Sequence, residues 1–126
     1  MAWKATGDTD LPLADRDREW DSDAATARVF RWAGWSDHPD PEKARHAFFA
    51  CNEDEEEHKS AYKLPFADVI DGELKAVPRA IFAVAGVLDG ARGGVDLPKP
   101  VQESIRRKVA RYYHQLEEEP PWDKKE

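Results

Sequence analysis

One cysteine in 126 residues leaves Cys51 without a partner in the chain, so an intrachain disulfide is excluded and a reducing compartment is the natural expectation. No apolar run approaches the roughly 20 residues that a bilayer-spanning helix requires. The most apolar stretch, Arg79 to Leu88, is only about half that length, so no membrane association is expected. The opening MAWKATGDTD lacks the basic start and long apolar core of a secretory signal, which makes the cytoplasm the expected location. There is no internal repeat and no low-complexity tract beyond the acidic run Glu53 to Glu57. An excess of positive charge is also missing. The net charge of −7 argues for a soluble acidic protein and against one that generally seeks nucleic acid.

What is present is enough apolar content, 40%, for one core and hardly for two, so a single domain is expected. Its charge is unevenly placed, with net values of −8 over residues 1–71, +4 over 72–116 and −3 over 117–126, so one part can attract another, or a partner. Residues 1–20 hold Gly7, Pro12 and four aspartates without sustained periodicity, and read as an N-terminal arm pinned by Trp3, Leu11, Leu13 and Trp20. Residues 21–116 read as the folded domain, and 117–126, with Pro120-Pro121, as a flexible acidic tail.

The domain is organised around residues 61–98. Tyr62 to Ile70 and Glu73 to Val77 flank Asp71-Gly72, a dipeptide suited to the positive φ of a tight hairpin turn. Pro78 fits the first turn of a helix, where its missing N–H is harmless. The helix that follows is apolar almost all round (Ile81, Phe82, Val84, Val87, Leu88 among alanines), which predicts the most buried element of the fold, ended by Gly90, Gly93 and Gly94.

Upstream, Asp21 or Ser22 can cap a helix over residues 22–33, with Asp23 in its positive first turn and Gly34 as the stop. Asp40-Pro41-Glu42 opens a short helix reaching His46. Ala47 to Cys51 is short and apolar and fits either the end of that helix or a buried strand, of which the strand, pairing with Tyr62 to Ile70, is preferred. Downstream, Val101, Ile105, Val109, Tyr112 and Leu116 form the apolar stripe of a last helix, with Arg107, Arg111 and His114 turned away from it. The expected fold class is therefore α+β: a three-stranded antiparallel sheet (about 47–51, 62–70, 73–77) packed with helices at about 22–33, 79–89 and 101–116.

Candidate sites are few. His38, His46, Cys51 and His58 are metal-ligand types, but their spacings match no chelating pattern and Cys51 reads as a buried small hydrophobe, so neither a metal nor another cofactor is expected. Asn52, Asp54 and Glu56 alternate as calcium ligands do, without the glycine and closing glutamate of an EF-hand. Gly90-Ala91-Arg92-Gly93-Gly94 follows a helix instead of preceding one, which suits helix termination and not phosphate binding. Lys99, Arg106, Arg107, Lys108 and Arg111 offer a basic face that would suit a nucleic-acid backbone, with Glu103 placed to pair Arg107 along the same helix. No serine, histidine and aspartate set stands out as a nucleophile system, and no enzyme activity is expected.

YKLPFADVIDGELKAVPRAIFAVAGVLDGARGGVDLP followed by IRRKVARYYHQLEEEPP resembles a small domain of tailed phages and prophages, found alone or fused to prohead maturation proteases and other head-assembly proteins. LPLADRDREWD and AFF add to the resemblance, which spans about residues 11–121; its hallmarks are Tyr62-Lys63-Leu64-Pro65, Gly90 to Gly94 and Arg111-Tyr112-Tyr113. It implies a phage or prophage context and leaves the molecular role open; the leading expectation is a non-catalytic interaction module whose partner is a phage structural or head-assembly protein, in the host cytoplasm or on the virion. Arg92, Arg107, Arg111 and His114 are the binding residues expected on the basic part of the chain. A nucleic-acid-binding accessory protein using the last helix is the alternative.

Overall fold

The computed structural model describes residues 3–123, the side chain of Arg92 excepted, and the fold is α+β. Five strands, β1 (Trp3–Ala5), β2 (Phe48–Asn52), β3 (Tyr62–Pro65), β4 (Ala67–Ile70) and β5 (Glu73–Ala76), combine with helices α1 (Ser22–Trp32), α2 (Pro41–Arg45), α3 (Pro78–Leu88) and α4 (Lys99–Gln115) among the described residues. The expected helices and the hairpin occur where the caps and turn residues place them. Asp21 accepts from the Ala24 N–H and Asp40 from the Lys43 N–H, while Asp71 and Gly72 take φ of 54° and 78°, matching the twist of a two-residue hairpin turn.

The strands are shared out differently from the expected single sheet. Residues 62–70 form two strands instead of one: β3 closes an antiparallel sheet ordered β1-β2-β3, while β4 pairs only with β5. The cause is local. Leu64 lies in the left-handed region at φ 63°, Pro65 has no N–H to continue a ladder, and the chain turns a corner at Phe66. Phe66 joins the halves, since its N–H donates to Ala47 O (3.1 Å) and its carbonyl accepts from the Val77 N–H (2.9 Å). Its ring is fully buried, stacked 3.9 Å from Phe49 and tilted against Tyr112 at 5.7 Å.

The third strand of the larger sheet comes from the N-terminal segment, which carries no strand periodicity. Trp3, Lys4 and Ala5 pair with Asn52, Cys51 and Ala50. The segment then passes Gly7 and runs along β5, where the Ala14 N–H donates to Ala76 O and the Ala76 N–H to Pro12 O. Gly7 has φ 89°, and a Cβ there would sit 2.8 Å from the Phe66 ring and 3.0 Å from the Phe48 carbonyl. Helix α4 holds the segment down. Tyr112 Oη donates to Asp8 O (2.7 Å) and accepts from the Leu11 N–H (3.2 Å), Lys108 Nζ donates to Gly7 O, and Gln115 Nε2 to Thr9 O.

Strand β2, and not α3, is the most buried element: all five of its residues are buried, whereas α3 exposes Arg79 and Ala83 and half-exposes Val87. A chain of this size has too little mass to cover every side of a helix. In α4 the expected stripe faces inward, with Ile105, Val109, Tyr112 and Leu116 buried. Of the acidic tail, residues 117–123 are described. Glu117 at φ 58° ends α4, the Glu118 N–H returns to Tyr113 O, Pro120 is buried, and the Trp122 ring lies 5.7 Å from the Arg106 guanidinium.

Gly7→Ala tests how far the fold depends on this segment. A left-handed φ costs a non-glycine residue about 1–2 kcal/mol and overpacking about 1–3 kcal/mol, so urea unfolding is expected to show a loss of about 2–5 kcal/mol.

Candidate interaction groove

The segment before α1 is set in place by one buried carboxylate. Asp68, 2% exposed, lies on β4 and receives Arg28 Nε and Nη2 at 2.8 Å each, Arg18 Nη2 at 3.2 Å and the Val69 N–H at 2.8 Å. Burial is the largest influence on its pKa and pushes it up. The hydrogen bonds from Arg28 and Arg18, the Arg28 charge and the Val69 N–H together outweigh that, so it lies below the ordinary carboxylate value. The clamp ties the hairpin to α1 through Arg28 and to the preceding segment through Arg18, two residues before Trp20.

Trp20 is thereby one wall of an open groove. Leu64 and Pro65 of β3 form the floor, and Ala83, Val84 and Val87 of α3 the opposite wall, with Ser22 at one end. The volume is about 170 Å³, below the roughly 300–1,000 Å³ of small-molecule sites and suited to one or two side chains of a larger partner. Larger hollows exist: those of about 340 Å³ along Glu53–His58 and about 310 Å³ beside Lys99, Gln102, Glu103 and Arg106 are lined by polar and charged groups, while those of about 240 Å³ beside Leu13, Asp15, Ile70 and Lys75 and about 190 Å³ beside Phe30, Arg31, Trp35 and Lys59 mix apolar with charged groups. The groove's floor carries strain. The ladder between β2 and β3 pairs Phe48, Ala50 and Cys51 with Pro65, Lys63 and Tyr62 and skips Leu64, whose left-handed backbone is unfavourable by about 1–2 kcal/mol for a residue with a Cβ.

The binding residues expected from the sequence lie elsewhere. Arg107, Arg111 and His114 are exposed on α4, Arg107 donating to Ser104 Oγ at 3.2 Å; the side chain of Arg92 lies outside the described residues. The basic face is narrower than its composition suggests. Arg106 turns in to the Leu88 carbonyl (2.7 Å) and closes the C-terminus of α3, and Lys108 is committed to Gly7 O. The groove residues Trp20, Leu64, Ala83 and Val87 carry no sequence signal of their own, since a helix apolar on every side predicts burial and not an open face.

The metal-type residues are dispersed. His38 and His58 are exposed, His46 Nδ1 is 2.6 Å from Asp8 Oδ1, and Cys51 is buried; among the described residues no group of three or more His, Cys, Asp or Glu side chains is placed to hold a metal ion. Burial pushes the Cys51 thiol above its ordinary value despite the Arg45 guanidinium beside it, which keeps it a thiol and not a nucleophilic thiolate. Likewise among the described residues, no helix is long and apolar enough to cross a membrane. Comparison with protein-family models, curated proteins and solved structures finds no match.

The Asp68 clamp has a pH signature. Its folded pKa is depressed below the unfolded value of about 3.9, so its stabilisation is complete above that value and is lost as pH falls through the folded pKa. Asp68→Asn is expected to lower stability at pH 7 by at least about 2 kcal/mol, since charge-assisted hydrogen bonds contribute about 1.5–3 kcal/mol. It should also flatten the decline of stability below about pH 4, read from urea unfolding across a pH series.

Proposed function

We propose that this chain is a non-catalytic protein-interaction module of tailed-phage or prophage head assembly, docking through the groove between Trp20, Leu64 and α3. One observation carries the reading. Three of the stretches on which the resemblance rests, DREW around Trp20, YKLP around Leu64 and FAVAGVL in α3, are separate in sequence and meet at this open apolar surface, while the hallmarks Gly90 to Gly94 and Arg111-Tyr112-Tyr113 lie outside it. An apolar anchor seated in a groove is the usual centre of a protein–protein contact, where a few residues supply most of the affinity. The strained Leu64 supports the same reading, since such strain concentrates at ligand clamps and switch regions. The expected setting is the host cytoplasm or the virion.

The second reading, nucleic-acid binding through Arg107, Arg111 and His114, is favoured by the exposure of all three on one helix. The inward commitment of Arg106 and Lys108 and the net charge of −7 weigh against it.

Ala83 is an exposed helical position, so Ala83→Gln should alter stability by about 0.5 kcal/mol or less while obstructing the groove. In pull-downs from infected or prophage-bearing lysate, the parent chain should enrich capsid, portal or protease chains, and Ala83→Gln should lose them at unchanged Tm. Enrichment that is nuclease-sensitive, weakens steeply with salt and disappears in Arg107→Ala/Arg111→Ala would establish the second reading instead.

A further inference from the structure

We infer that the groove receives a partner segment in which an apolar anchor is flanked by lysine or arginine. This deepens the docking assignment above and rests on it. The wall that carries Trp20 belongs to residues 15–23, DRDREWDSD, which hold five acids and two arginines. Both arginines are engaged within the chain: Arg16, at the surface, with Glu118 and the Leu116 carbonyl, and Arg18 with the buried Asp68. The five acids, Asp15, Asp17, Glu19, Asp21 and Asp23, remain exposed and none of them forms an ion pair among the described residues, although Asp21 caps α1 through the Ala24 N–H and Asp15 lines a separate hollow with Leu13, Ile70 and Lys75.

The groove lining is apolar apart from Ser22, and the chain on either side of Trp20 carries the exposed acids Glu19 and Asp21, which make that side an acidic rim. Beside its floor, Lys63 is drawn away to the Asp96 carbonyl (3.2 Å) and the face of the Trp3 ring (4.8 Å). Arg79, exposed one turn before Ala83 on α3, is the cation nearest in sequence to the opposite wall, so the asymmetry also orients an incoming segment. Burial of the anchor provides affinity, while the unpaired rim selects charge and speeds encounter. Such charges act over about 8 Å at physiological ionic strength.

The test uses the full chain and labelled synthetic peptides with one central Leu-Phe anchor flanked by lysines, glutamates or serines, with fluorescence anisotropy read at about 20 mM and about 300 mM salt, conditions of weak and strong screening. The lysine-flanked peptide should bind at least about tenfold tighter than the glutamate-flanked one at low salt, with the gap narrowing at high salt. Asp17→Lys/Glu19→Lys should invert the preference, and Ala83→Gln should abolish binding while Tm is unchanged.

Equal binding of the three peptides, unmoved by the rim reversal, would overturn the charge selection and leave the groove as a docking site. Capture of head-assembly chains that persists in Ala83→Gln would overturn the docking site itself. Concentration-dependent dimerisation in sedimentation, lost in Ala83→Gln, would identify a second copy as the occupant and overturn the cationic segment.

Discussion

The Asp68 carboxylate is the interaction on which the arrangement of this protein depends. A buried carboxylate is tolerated only where hydrogen bonds and opposite charge replace its water, and here two guanidiniums and one backbone N–H do so. Because those guanidiniums come from α1 and from the segment before it, satisfying one carboxylate fixes three parts of the chain together: the hairpin, the helix and the stretch bearing Trp20. Both arginine side chains are partly exposed, at 43% and 37%, so the Coulombic part of the attraction is screened and the geometry of the hydrogen bonds matters more.

A second constraint acts beneath it at the corner between the sheets. Phe66 donates to one sheet and accepts from the chain leaving the other, and its ring occupies the space that Gly7 leaves open. The bend that places Phe66 there is made by Leu64 and Pro65. The same two residues form the groove floor, so the strain at Leu64 both turns the chain inward and presents an apolar side chain outward.

These constraints give the proposed function a physical basis. The groove is bounded by elements that are each anchored from behind: Trp20 through Arg18 and Asp68, Leu64 through the corner at Phe66, and α3 through its packing on α4, where Phe82 meets Tyr113 edge-on and Arg106 closes the helix end. Such preorganisation lowers the entropy lost when a partner docks. The acidic rim arises from the same contacts, since the interactions that hold residues 15–23 in place consume their arginines and leave their acids in water.

Local chemistry was legible in the sequence because it depends on neighbours a few residues apart. Asp21 and Asp40 as caps, Pro41 and Pro78 as helix openers, Asp71-Gly72 as the hairpin turn and the Ile105, Val109, Tyr112 stripe all act within one turn of helix or across one tight turn, and together they determined the α+β class and the element order. Non-local pairing decided the rest. Nothing within residues 3–5 specifies a strand, and they become one because Asn52, Cys51 and Ala50 present an open edge; within residues 62–70 Leu64 and Pro65 make the break locally, but which sheet each half joins is decided where Phe66 meets Ala47 and Val77. The groove was hidden for the same reason. Trp20, Leu64 and Ala83 are about 20 to 60 residues apart, and only the folded chain determines which apolar side chains are covered and which charges remain unpaired in water.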